Sequence, residues 1–159
     1  MPAVDAKHPL LPSLLSRLLD PESMHSADGG YHLREMIDAI RFDLEDLFNT
    51  RQSGVVVGRK YPELQNSIVT YGLPDLTYID INNNAQCERI CKTLATLVAR
   101  SEPRIQNVRI NVVKGEAVNG RNVRFHIEGQ LAADPAPDLE FDTIFERGTG
   151  RTSVEAKGA

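Results

Sequence analysis

Hydrophobic and polar positions change their period along this chain, and the change divides it. From Tyr31 to Asn49 the apolar residues are Leu33, Ile37, Ile40, Leu44, Leu47 and Phe48. Their steps of four, three, four, three and one predict an amphipathic helix facing a core. Arg34, Glu35, Asp38, Arg41, Asp43, Glu45 and Asp46 fall on its other face. The polar run Asn49 to Gly54 ends it, and Val55, Val56 and Val57 predict a short strand. Pro62 with Glu63 beside it reads as the first turn of a short helix. The triplet Asn82-Asn83-Asn84 offers a cap for a second long helix, whose stripe is Cys87, Ile90, Cys91, Leu94, Leu97 and Val98. That helix has to stop before Pro103.

Beyond Pro103 the period falls from 3.6 to 2. Val108, Ile110 and Val112 alternate with Arg109, Asn111 and Val113. Val123, Phe125, Ile127 and Leu131 alternate with Arg124, His126, Glu128 and Gln130. The segment from Gly115 to Asn122, centred on Asn119-Gly120, is a hairpin signal between them. Leu139, Phe141, Thr143 and Phe145 alternate with Glu140, Asp142, Ile144 and Glu146, giving a third strand. Helices first and an antiparallel sheet afterwards predict an α+β domain, with N-terminal helices packed on a small sheet formed mainly by the C-terminal half. Residues 1–30 carry Leu10, Leu11, Leu14, Leu15, Leu18 and Leu19 at helical spacing and read as a separate short segment. Residues 31–147 form the domain, and the polar, Gly-rich residues 148–159 read as a flexible tail.

At 159 residues the chain is of ordinary domain size, long enough for a core without disulfide or metal support. Eighteen basic against 22 acidic residues leave a net charge of −4. That argues against bulk nucleic-acid or anionic-membrane binding. With no Trp, 4 Tyr and 5 Phe there is little material for a stacking platform. No apolar run reaches the ~18 residues of a membrane span, and Met-Pro-Ala-Val-Asp-Ala-Lys at the start has no signal-peptide form. The expected compartment is the cytoplasm.

The search for chemistry turns up little. Cys87 and Cys91 sit within an apolar stripe and read as small core residues, with no metal or cofactor expected. Gly148 to Ser153 fails the spacing of a phosphate loop. His126 lies on the polar strand face and reads as solvated. The many carboxylates lie on charged, solvated faces, where a pair tuned for glycoside cleavage is not evident. One junction stands out: Glu102-Pro103-Arg104 joins the second long helix to the first strand. It is either a helix stop with incidental charges or a stiff polar elbow that offers an arginine fork to a partner. Charge is also uneven. Residues 104–131 hold five bases and two acids, and residues 132–146 hold five acids and no base. Glu140, Asp142 and Thr143, on what reads as the last strand, are therefore candidates for an edge at which a partner strand adds.

Three stretches taken together resemble the phage baseplate wedge and sheath-initiator family, and within it the type VI secretion branch, the TssE proteins. They are Leu33 to Arg51, Tyr71-Gly-Leu-Pro-Asp75 and Glu102-Pro103-Arg104. The resemblance implies a small structural baseplate protein without catalysis, although members have been labelled lysozyme-like. It implies that Glu102, Pro103 and Arg104 contact wedge subunits, and that the domain templates the first sheath ring. The implied partners are TssF, TssG and TssK of the baseplate and the sheath pair TssB and TssC. The alternative within the same fold is an IraD-type anti-adaptor that binds a response-regulator adaptor. A carbohydrate-cleaving enzyme is the more distant alternative.

Overall fold

The computed structural model describes residues 13, 18–19, 33–58, 60–65, 67–76, 83–113, 122–133 and 135–157. Helix α1 spans Leu33–Asn49. A one-turn helix α2, Pro62–Gln65, and a 3₁₀ turn, Ile68–Thr70, lead to α3, Asn84–Ser101. Strands β1 (Ile105–Val113), β2 (Asn122–Leu131), β3 (Asp138–Glu146) and β4 (Thr152–Ala156) then form one antiparallel meander in the order β1-β2-β3-β4. The α+β architecture predicted from the change of period is the one observed. The N-terminal Leu-rich segment lies largely outside the described residues, as does the Gly115–Arg121 turn.

The caps explain where the elements begin and end. Asn83 is the N-cap of α3, and its side-chain oxygen accepts from the Gln86 N–H at 3.2 Å. Arg100, in the last turn of α3, donates to the Gln65 carbonyl at 2.6 Å and the Thr70 carbonyl at 2.7 Å. One cation thus complements the negative end of its own helix region and pins α2 and the 3₁₀ turn against it.

The core lies between the helices and one face of the sheet. Met36, Ile40, Leu44, Leu47 and Phe48 of α1 are buried, with Cys87, Leu94, Leu97 and Val98 of α3. Ile105, Ile110, Val123, Phe125, Ile127, Leu131, Leu139, Phe141, Phe145 and Val154 meet them from the strands. Each such side chain contributes roughly 1.5–3 kcal/mol of burial free energy. α3 packs beside β1 and α1 beside β4, so the two long helices flank opposite margins of the sheet. Gly129 in β2 leaves room for this packing, because a Cβ there would stand 2.4 Å from Ile105 Cγ2.

Four readings change. Val55–Val57 is not a strand: Val55 and Val56 are exposed and lie outside any ladder. The α1 stripe is rotated, with Met36 buried while Leu33 is 44% exposed. The expected tail from residue 148 is a tight turn and a strand over most of its length. The Gly150 N–H bonds the Glu146 carbonyl, and β4 pairs with β3 from Phe145↔Thr152 to Phe141↔Ala156. Thr152 and Val154 alternate inward, and a polar Thr at a core position hid the period of two. As a result β3 is an inner strand, bonded to β2 on one side and β4 on the other. Glu140, Asp142 and Thr143 therefore do not form a sheet edge.

Candidate functional site

The elbow closes at the end of α3. The Glu102 N–H caps the helix on the Val98 carbonyl at 2.7 Å, and the Ile105 N–H returns to the Glu102 carbonyl at 3.2 Å. Pro103 stands at the exposed tip of this turn. The Glu102 carboxylate folds back over it. Its Oε1 accepts from the Arg104 backbone N–H at 3.1 Å and from Arg104 Nε at 2.7 Å, and its Oε2 accepts from the other arm of the guanidinium. That same arm also donates to Asp43 of α1, and the remaining nitrogen lies 3.7 Å from Met36 Sδ. The fork is thus engaged inside the domain, with the Arg104 side chain 21% and the Glu102 side chain 6% exposed. A guanidinium held at two edges by two carboxylates ties the α3–β1 junction to α1. The arginine is not simply held out to a partner.

Beside the elbow lies an open cleft of about 360 Å³, bounded by Ser13, Asp43, Asp46, Tyr71, Pro103 and Arg104 among others. Three carboxylates (Asp43, Asp46, Glu102) line this cleft, and two of them, Asp43 and Glu102, bond its one guanidinium. Burial pushes the Asp43 carboxyl above its ordinary range, and Arg104 offsets this only in part, with Glu102 and Asp46 adding to the rise. Burial works against the Arg104 charge, yet Glu102 and Asp43 more than compensate and hold its proton more firmly than usual. The Tyr71 phenol is raised by burial and then by Asp46, Asp43 and Glu102. Tyr71 is placed by a short parallel bridge, in which the Leu73 N–H bonds the Thr50 carbonyl at 2.7 Å and the Gln52 N–H bonds the Leu73 carbonyl at 3.0 Å.

The other candidates lie elsewhere. Glu140 and Asp142 share the open face of the sheet with His126, which is not solvated as expected: its side chain is 18% exposed. His126 Nδ1 is 2.6 Å from Asp142, and Nε2 lies 3.5 Å from Glu128 and 3.9 Å from Glu140. The imidazole sits between Glu128 and Glu140, which face each other directly across β2 and β3. Thr143 points the opposite way, into the core among Phe48, Leu94, Phe125 and Phe145. Its hydroxyl has no hydrogen-bond partner. Thr143→Val keeps the shape and removes that cost, so it is expected to stabilise the chain by about 1 kcal/mol in urea unfolding. A loss of stability would show that the hydroxyl is satisfied.

Across residues 34–136, which run from the start of α1 past the elbow to the loop before β3, the sequence matches the family described as baseplate wedge protein gp25. The chain belongs to that family. Membership carries a structural role in a phage-type baseplate, alongside other baseplate and tail components. Comparisons with curated proteins and with solved structures give no significant match. No helix among the described residues is long and apolar enough to cross a membrane. The elbow falls within the family segment, and so do Asp43, Asp46 and Tyr71. The sequence gives none of the three a site role, since nothing along the chain marks Asp43 and Arg104, 61 positions apart, as partners.

Proposed function

We propose that this protein is a TssE-type baseplate subunit of a type VI secretion apparatus, docking on the wedge subunits TssF and TssG near TssK and starting polymerisation of the TssB–TssC sheath. It works in the cytoplasm, as a scaffold rather than an enzyme. The observation that carries this reading is the elbow. Its backbone is fixed by a carboxylate–guanidinium lock, and its tip residue, Pro103, is exposed beside an acidic cleft. A rigid tip costs little ordering entropy on binding, which suits a permanent contact in a large assembly. In this reading Arg104 and Glu102 hold the contact surface in shape, and Pro103 with the cleft rim meets the wedge.

The test uses a residue outside the lock. Pro103→Asp places a charge at the exposed tip and is expected to weaken co-purification with TssF–TssG at least tenfold while the melting temperature stays within a degree or two. Undiminished wedge binding would remove the elbow from the interface. Capture of a response-regulator adaptor instead of wedge subunits would favour the anti-adaptor reading, and turnover of peptidoglycan would favour the enzyme.

A further inference from the structure

The turn between β3 and β4 closes a polar pocket of about 900 Å³ against the end of α1. Side-chain and backbone bonds fix its walls. The Asn49 amide donates to the Thr152 carbonyl at 2.8 Å, and its oxygen accepts from the Thr152 N–H at 2.9 Å. Asn49 thus stands in for one residue of a neighbouring strand and ties β4 to α1. The Gly150 N–H returns to the Glu146 carbonyl at 2.8 Å, with Gly150 at φ +70°. The missing side chain at Gly150 makes room: a Cβ there would stand 2.9 Å from Arg51 Nη2, so the Arg51 guanidinium lies against the turn. Arg151, the next residue, lines the same pocket.

The charges in this pocket do not cancel. Glu45 is taken by Arg41 at 3.2 Å, and Glu146 accepts from the Thr149 hydroxyl at 2.9 Å rather than from a cation. Neither Arg51 nor Arg151 has an ion-pair partner among the described residues. Two guanidinium groups therefore face one carboxylate, Glu146, that no cation neutralises.

The surroundings decide which class of anion fits. A phosphate held by a loop needs free backbone N–H groups or a helix N-terminus. Here the turn leads into a strand, and three of its amides are already used: Gly150 on Glu146, Arg151 on the Thr149 hydroxyl at 3.1 Å, and Thr152 on Asn49. Small-molecule sites are enclosed and mostly apolar. This pocket has no large apolar side chain in its lining, and Asn49, Arg51, Glu146, Thr149, Arg151 and Ser153 are all exposed. What remains is two planar forks, whose geometry matches carboxylates.

We propose that this pocket binds an acidic segment of a neighbouring protein, seating one carboxylate on Arg51 and another on Arg151, with the Ser153 hydroxyl as a further donor. Charge complementarity selects the segment, and because both arginines are exposed the contact weakens as salt rises. The pocket shares no lining residue with the elbow cleft and lies at the β4 margin of the sheet, so it is a second contact, separate from the one assigned to the wedge.

The experiment is NMR titration of the ¹⁵N-labelled full chain with a capped hexaglutamate peptide, with capped hexaglutamine and inorganic phosphate as controls. The amides of Thr149, Gly150 and Arg151 and the Nε–H of Arg51 are expected to shift with hexaglutamate, to stay in place with hexaglutamine, and to return toward their free positions as salt is added. The double variant Arg51→Gln with Arg151→Gln is expected to weaken peptide binding at least tenfold with the melting temperature unchanged. Ser153→Asp leaves both arginines in place and offers them an internal carboxylate, so it is expected to weaken binding as well. Binding that survives either variant in a folded protein, or shifts confined to other basic residues such as Lys92 and Arg109, overturns the proposal. Equal shifts with hexaglutamine show that charge does not select the ligand and overturn it too. Phosphate that shifts the same amides as strongly and displaces the peptide makes the pocket a free-oxyanion site and overturns the assignment to a protein segment.

Discussion

Arg104→Ala is expected to lower the stability of the full chain by about 3 kcal/mol, the low end of the cost of breaking a buried ion pair. The cost comes from what remains behind. Glu102 loses the donors to both carboxylate oxygens that its side chain now serves, keeping only the Arg104 backbone N–H at 3.1 Å. Its side chain is 6% exposed, so water cannot replace the guanidinium without opening the turn. Asp43 loses its counter-charge while burial, Glu102 and Asp46 all still act against its ionised form. The 21% exposure of Arg104 and 28% of Asp43 place the effect at the lower limit. Arg104→Lys is expected to recover part of the loss, since an ammonium supplies charge but not the two-edged fork. Urea unfolding of the three proteins measures this directly. A loss below about 1 kcal/mol for Arg104→Ala would mean that solvent already screens the cluster. Reduced wedge binding by this variant therefore reports on the fold as well as the contact, which is why Pro103 is the better probe of the interface.

How much of this was legible beforehand follows from range. Periodicity is local, so α1, α3 and the first three strands could be read from spacing, and so could the Asn cap of α3. The rotation of the α1 stripe toward Met36 could not: Leu33 and Met36 are both apolar and three apart, and only the long-range packing of the core decides that Met36 is covered. β4 was missed because five residues with Thr152 at an inward position carry little alternation, and its ladder with β3 and its Asn49 cap are long-range facts. That omission made β3 look terminal and moved the expected edge to the wrong strand. The elbow was half legible. Glu102 and Arg104 are two residues apart and could be seen as a unit, but their engagement with Asp43 turns a displayed fork into an internal lock.

Gly72→Ala is expected to cost about 3 kcal/mol, although it adds only one methyl group, because Gly72 is buried. Gly72 has φ +102°, in the left-handed region where an L side chain is strained. Such a position alone costs of the order of 1–3 kcal/mol. The space is also taken: a Cβ would stand 2.5 Å from the Thr50 carbonyl oxygen and 3.0 Å from the Gln52 nitrogen, both backbone atoms of the facing segment. Relief requires that segment to move, and it holds the 2.7 Å bond from the Leu73 N–H to the same Thr50 oxygen. Losing that bond adds about 1 kcal/mol. The change then spreads in two directions. Leu73 is buried in the core, and Tyr71, one residue before the glycine, lines the acidic cleft. The variant should therefore unfold at lower urea with an unchanged slope, and under conditions where it is still folded it should bind TssF–TssG more weakly than the wild type. A stability loss below 1 kcal/mol would show that the Thr50–Leu73 bridge yields easily. Full wedge affinity in a clearly destabilised variant would show that the position of Tyr71 is immaterial to docking, and would confine the contact to the Pro103 side of the cleft.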